Sequence, residues 1–233
     1  GGDAAARDRL AAAMVGRTRD GAPLVDRQHE AIEGEHDARN RFTYRGDPRG
    51  ERCPIGAHIR RSNPRNADLP PGSGGLLSRL MRTLGFDAAA LADDHVSSTR
   101  FHRLLRRGRE YGTGLSVDDA LAGTSPAADT DEQGRGLHFM CLGANIARQF
   151  EFVQGAWIAG TPFAGLRAES DPLLGHRRPG LDGEPTDCFS MPTDGGCDVR
   201  LAGLPQFVTV VGGGYFFLPG IRALRYIAKE PPP

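Results

Sequence analysis

Between Asn145 and Gly160 the chain reads NIARQFEFVQGAWIAG, and Ile146, Phe150, Val153 and Trp157 recur at steps of four, three and four. That spacing draws one apolar stripe along a helix, with Gly160 as its stop and Trp157 in the core. Ahead of it stand RFHRLLR (100–106), with strand character leading into a turn at RGREYG, and RGLHFMCLG (135–143), an apolar run of strand length. Behind it, after a long Asp/Pro/Gly loop over 160–200, come QFVTVVG and YFFLP, joined tightly at Gly212 to Gly214, and a last helix, GIRALRYIA. Strand, strand, helix, strand, strand, helix is an α+β pattern, an antiparallel sheet with helices on one face, and it predicts a ferredoxin-like sandwich.

Upstream, Asp3 is placed to cap a helix through AAARDRLAAAMV that stops at Gly16, and 17–50 reads as ordered polar loop. The expected organisation is a helix and connecting loop over 1–52, then a main domain over 53–233 interrupted by an insertion at about 66–98. In that insertion DLPPGSGG precedes two short helices, LLSRLMRTLG and DAAALADD, and it reads as surface decoration. A further polar loop spans about 113–134. Glycine (32) and proline (17) make up about a fifth of the 233 residues, which favours long loops over a bundle. Lys+Arg and Asp+Glu both number 29, a balance that argues against a dedicated nucleic-acid or polybasic membrane binder. Neither an apolar run of the roughly 18 residues that a membrane span requires nor a charged-then-apolar leader is present, so a soluble, cytoplasmic protein is expected. Four cysteines without C-x-x-C spacing exclude a zinc ribbon or covalent haem attachment; Cys188 and Cys197 have the option of pairing, with free thiols the stronger reading.

The stretch CPIGAHIRRSNPRN (53–66) sets His58 between a proline-glycine turn and three arginines. Pro54 opens a helical turn there and Pro64 closes it. A lone histidine in such a place is most often structural. Two features shift that balance: small Gly56 and Ala57, which let a flat ligand approach, and Arg60 and Arg61, which suit carboxylates. Together they fit a planar ring system with acidic arms whose iron is ligated by a neutral imidazole, as in haem. No H-x-E or H-E-x-x-H pattern supplies partners for a bare metal.

The ordered series CPIGAHIRRSNPR, RRGREYG, RGLHFMCLGANIARQFEFVQGAW, DPLLG and FVTVVGGGYFFLPGIRAL resembles the C-terminal half of a dye-decolourising (DyP-type) haem peroxidase, with the bacterial long-chain branch nearest. It covers most of 10–228 apart from the 66–98 insertion. The resemblance implies two ferredoxin-like domains in the full enzyme, haem b in the C-terminal one, H2O2 as oxidant and an aromatic or dye-like reductant. By position it implies His58 as the proximal iron ligand, Arg106 as the distal arginine, Leu137 and Phe139 roofing the distal face, and Asp171 accepting the proximal imidazole N–H. Arg60 or Arg61 would anchor a propionate. One departure is Glu110, which stands where the family has proline.

In these roles Arg106 would stabilise charge as the O–O bond splits, while Asp171 would make the imidazole more imidazolate-like and lower the reduction potential. The family's acid/base is an aspartate in G-x-x-D-G, a motif of the first half of a full-length chain. GRTRDGAPL (16–24) does not supply it: the spacing to Asp20 is one residue too long, and Asp20 reads as a turn residue. The expectation is therefore a haem-bearing subunit of a heteromeric peroxidase, with a second chain contributing the N-terminal half and the aspartate. A non-catalytic haem-binding or scaffold subunit, and an anion-binding α+β module built on the arginines, are the competing readings. Tyr111, Tyr215 and Tyr226 are candidate electron-relay stations but are more often packed aromatics.

Overall fold

The computed structural model describes residues 4–25, 42–44, 46–65, 99–114, 116, 118–119, 134–180, 183–193 and 198–229. The 66–98 insertion, most of the 113–134 loop and the Asp3 cap lie outside them. Helix α1 (Ala4–Val15) is alanine-rich and ends where expected, because Gly16 adopts φ +91°. A Cβ at Gly16 would sit 2.6 Å from Ile59, so this end of α1 packs directly on the next helix.

That helix, α2 (His58–Ser62), is five residues long and cannot stand on propensity alone. It starts from the turn Ala57 N→Pro54 O (3.0 Å) and ends before Pro64, which has no N–H to continue it. Tertiary packing holds it from two sides. Ala57 and Ile59 join a core of Leu24, Val25, Phe42, Tyr44 and Cys53, and Ile55 packs on a second core of Val153, Trp157, Ile158 and Phe163. The His58 turn is thus wedged between the two hydrophobic clusters, which fixes its backbone.

After a 3-10 turn at Thr99–His102, strand β1 (Leu105–Tyr111) pairs antiparallel with β2 (Gly136–Leu142), Arg106 facing Cys141 and Gly108 facing Phe139. The strand expected at 100–106 is displaced: RGREYG is not a turn but the strand itself. Gly108 makes this workable, since Leu137 Cδ1 lies 3.1 Å from where its Cβ would be.

The expected helix at 145–160 is present with a different winding. Two π-helical segments, Ala147–Glu151 and Val153–Ile158, use i→i+5 bonds such as Glu151 N→Ile146 O (3.0 Å) and Ala159 N→Gln154 O (2.9 Å). The wider turn moves the buried face. Val153, Trp157 and Ile158 are buried, while Ile146 remains exposed.

Within the 160–200 loop a short ribbon forms, β3 (Phe189–Met191) against β4 (Val199–Leu201). Helix α3 (Ile221–Ile227) falls on the expected last helix. QFVTVVG and YFFLP do not form the predicted strands: residues 202–220 belong to no ladder. A run rich in Val and Phe becomes a strand only where a neighbouring edge accepts its hydrogen bonds. With none among the described residues, Val210, Val211, Phe216 and Phe217 are 81–91% exposed. The described residues therefore form an α+β arrangement of two antiparallel ribbons with helices. No described helix is long and apolar enough to cross a membrane.

Candidate functional site

His58 opens α2, and its Nδ1 lies 2.9 Å from Asp171 Oδ2 across 113 residues of sequence. Asp171 is fully buried, and its other oxygen accepts the backbone N–H groups of Leu173 (2.9 Å) and Leu174 (2.8 Å). The local sequence DPLL explains this: proline at 172 turns the chain so that the next two amides point back at the carboxylate. Burial alone would raise the Asp171 pKa. The hydrogen bond and charge of His58, helped by the two amides, outweigh it and hold the carboxyl below its ordinary value.

An ionised carboxylate only accepts, so Nδ1 is the donating nitrogen of His58, and in the neutral imidazole Nε2 is then the nitrogen with the lone pair. Nε2 makes no hydrogen bond to the described residues, and the His58 side chain retains 22% exposure. The described residues contain no cluster of three or more His, Cys, Asp and Glu side chains suited to a metal ion. What this pair offers is one oriented imidazole backed by a carboxylate, the arrangement of a single axial ligand.

On the same face of α2, one turn beyond His58, Ser62 enters a cleft of about 300 Å³. Asn63, Arg65, Thr99, His102, Arg103, Leu104, Arg106 and Trp157 complete its lining. The hydroxyls of Ser62 and Thr99 are buried and have no hydrogen-bond partner among the described residues, a cost that a bound polar group would relieve. His102 bonds the Arg148 carbonyl through Nδ1 (2.6 Å) and stacks on Phe152 at 3.8 Å, so its orientation is fixed.

Arg106 reaches the cleft from β1. Partial desolvation, then the like charge of Arg17, lower its pKa, with Tyr44 opposing. Because directly paired residues of an antiparallel ribbon share a face, Arg106 and Glu110 lie on the same side as Cys141 and Leu137, and Phe139 shares it opposite Gly108. The ribbon thus brings Arg106, Leu137 and Phe139 to one face. Leu137 and Phe139 are 58% and 46% exposed there.

Arg60 and Arg61, expected at the acidic arms of a ligand, both turn inward. Arg60 donates to Asp47 Oδ2 (3.2 Å) and to the carbonyls of Cys53 (2.7 Å) and Asp47 (2.7 Å), with its guanidinium 4.6 Å from the Tyr44 ring centre. Arg61 is fully buried and donates to the carbonyls of Trp157 (2.7 Å), Glu169 (3.2 Å) and Gly160. Burial pushes its pKa down to about 10, against the attraction of Asp171 and Glu169. Gly56 and Ala57 likewise serve interior packing rather than ligand approach: Gly56 backs onto the Phe189 ring and Ala57 is fully buried.

Asp20 lies in the turn that bridges Arg17 and Pro23, accepting from Thr18 Oγ1 at 2.6 Å. Cys53, Cys141 and Cys188 are free thiols. Of the cleft residues, Asn63, Thr99 and His102 escaped the sequence reading, while Arg65 entered it only as one of the arginines after His58. The signal available for Asn63 was its place at the C-terminal end of the short helix that opens with His58; Thr99 and His102 gave none, since a 3-10 turn brings them in from beyond the insertion.

No protein-family model matches the chain. It is 34% identical over 225 residues to the multifunctional dye peroxidase DyP2 of Amycolatopsis sp., covering 94% of this chain and 41% of that protein. To a dye-decolorizing peroxidase of Auricularia auricula-judae it is 29% identical, covering 93% and 39%. Among solved structures, DyP2 from Amycolatopsis superposes with a TM-score of 0.54 at 26% identity, over 88% of this chain and 38% of that one. A DyP-type peroxidase of Anabaena gives a TM-score of 0.51 at 25% identity, over 84% and 35%. The chain thus spans about two-fifths of the length of the curated relatives it matches. By sequence over 94% of its length, and by the ferredoxin-like α+β fold, the neighbours of this chain are DyP-type dye-decolourising peroxidases.

Proposed function

We propose that this chain is the haem-bearing part of a dye-decolourising peroxidase, using haem b, H2O2 and an aromatic or dye-like reductant. The observation that carries the reading is the His58–Asp171 pair, which orients one imidazole and leaves Nε2 with no partner among the described residues. Supporting the fit are a single nitrogen ligand at His58 and, beyond it along α2 though not lined by it, a cleft with cationic walls and buried hydroxyls that lack partners among the described residues. With Arg60 and Arg61 turned to backbone carbonyls, and Arg65 to that of Phe42, the polar groups that would receive propionates are Asn63, Ser62 and Thr99.

When bound, the haem iron would supply the redox chemistry that reduces peroxide. His58 would hold the iron through Nε2, and Asp171 would keep the proton on Nδ1 and add electron density to the ring. Arg106 would present positive charge to the oxygen that becomes anionic as the peroxide bond parts. Leu137 and Phe139, on the same ribbon face, would limit water beside it.

No carboxylate of the described residues lines the cleft beside Arg106, so proton transfer between peroxide oxygens calls for an acid from another segment. Exposed apolar side chains, Leu137, Phe139 and Met140 on β2 and Val208 to Leu218 in the C-terminal run, favour a covering protein surface. A second chain carrying the N-terminal peroxidase half meets both needs.

The test is peroxide-dependent oxidation of an anthraquinone dye by the haem-loaded chain, alone and with the fragment that carries the relatives' N-terminal half. Turnover that requires haem and His58, and rises on adding that fragment, is expected. Haem uptake with no turnover under either condition would leave a haem binder without peroxidase activity.

A further inference from the structure

We infer that Arg61 and Arg177 are positioning residues for the His58–Asp171 pair: one guanidinium on each side grips the 169–172 backbone and holds the carboxylate at the imidazole. The inference rests on the reading of His58 as the axial ligand, but its evidence is the geometry of the chain itself.

Arg61 stands three residues after His58 on α2, so its base moves with the imidazole. Its guanidinium reaches the Glu169 carbonyl (3.2 Å), two residues before Asp171, while also taking the Trp157 and Gly160 carbonyls at the end of the π-helix. It packs 4.7 Å from the Phe163 ring centre, which stops it swinging away. One side chain therefore connects the element that carries the imidazole to the loop that carries the carboxylate.

Arg177 closes the other side. It donates to the Asp171 carbonyl (3.2 Å), the Pro172 carbonyl (2.6 Å), Ser170 Oγ (3.2 Å) and the Pro205 carbonyl (3.3 Å). The loop is tight in between: a Cβ at Gly175 would lie 2.4 Å from Ser170 Oγ and 2.5 Å from the Asp171 carbonyl. Asp171 N–H is itself bound to the Ile158 carbonyl at 2.9 Å. The backbone on both flanks of the carboxylate is thus held by arginine forks, a planar multidentate grip that lysine cannot reproduce. Neither arginine touches the imidazole, so each acts through the placement of Asp171.

The test is the state of the His58 ring in the full chain without haem, read by 15N and 1H NMR at a pH where the imidazole is neutral. Wild type is expected to hold the proton on Nδ1 with slow solvent exchange. In R177Q, with circular dichroism unchanged, that proton should exchange roughly tenfold or more faster and part of the population should move to the Nε2–H tautomer. R61K, which keeps the charge but loses the fork, should shift the ring in the same direction; R177K serves in place of R177Q if that variant does not fold. A folded R177Q or R177K whose Nδ1 proton is as protected as in wild type overturns the inference, as does a wild-type ring protonated on Nε2. If the Nδ1–H tautomer is found but the chain binds no haem, the functional reading fails and the positioning role stands.

Discussion

Replacing Asp171 by asparagine tests the site through one atom. The side chain is fully buried and accepts three hydrogen bonds, from His58 Nδ1 and from the Leu173 and Leu174 amides. An amide keeps the volume but has only one accepting oxygen. If that oxygen stays on the two backbone amides, the NH2 group meets His58 Nδ1 and forces it to accept. The ring proton then moves to Nε2, the atom proposed to hold iron. Losing a charge-assisted hydrogen bond of about 1.5–3 kcal/mol, with 1.4 kcal/mol per factor of ten, predicts haem affinity reduced roughly 10- to 100-fold. The chain without haem should lose about 1–3 kcal/mol of stability. The sign of the pH dependence follows from the lowered carboxyl pKa: ionised Asp171 stabilises the fold above its unfolded pKa, and the contribution disappears as pH falls through the folded value. The gap between wild type and D171N should therefore be full above about pH 5 and close in stronger acid. Haem titration followed at the Soret band, with urea unfolding at several pH values, gives both numbers. Unchanged haem affinity in a folded D171N would refute the reasoning.

Three further outcomes are expected. R106A should lower peroxide-dependent turnover of the haem-loaded protein by about 10²- to 10³-fold while leaving the melting temperature close to wild type, since the side chain projects from an exposed strand. W157A removes a buried ring from the second core and should cost about 3–5 kcal/mol in denaturant unfolding. Cys53 is fully buried and burial pushes its thiol pKa up to about 12, so iodoacetamide at neutral pH should leave it unmodified in the folded chain and label it after unfolding.

Helix α1 and its stop were legible because local chemistry decides them: an alanine-rich run and a glycine whose φ is +91°. Trp157 was legible as core through its spacing. What spacing could not reveal was the π winding, which depends on i→i+5 bonds rather than residue type, and which buries Ile158 in place of Ile146. The Val- and Phe-rich run at 206–219 has strand propensity, but pairing needs an edge that the described residues do not present to it. At the site, His58 stood out beside its small neighbours and arginines, but Asp171 was named only from a resemblance, 113 residues away, a distance at which no periodicity operates. Arg60 and Arg61 illustrate the opposite case. Charge in a motif suggests solvent or ligand, yet here backbone carbonyls take up both guanidinium groups, a commitment made by tertiary packing and invisible in the string IRRS.

The central claim, that the imidazole at position 58 is the iron ligand, is tested most directly by haem titration of wild type and H58A under identical conditions, followed by absorption spectroscopy with added imidazole. Wild type should bind haem stoichiometrically with a histidine-ligated spectrum, which a folded H58A should lose and regain when free imidazole fills the gap. An H58A spectrum superimposable on wild type would contradict it.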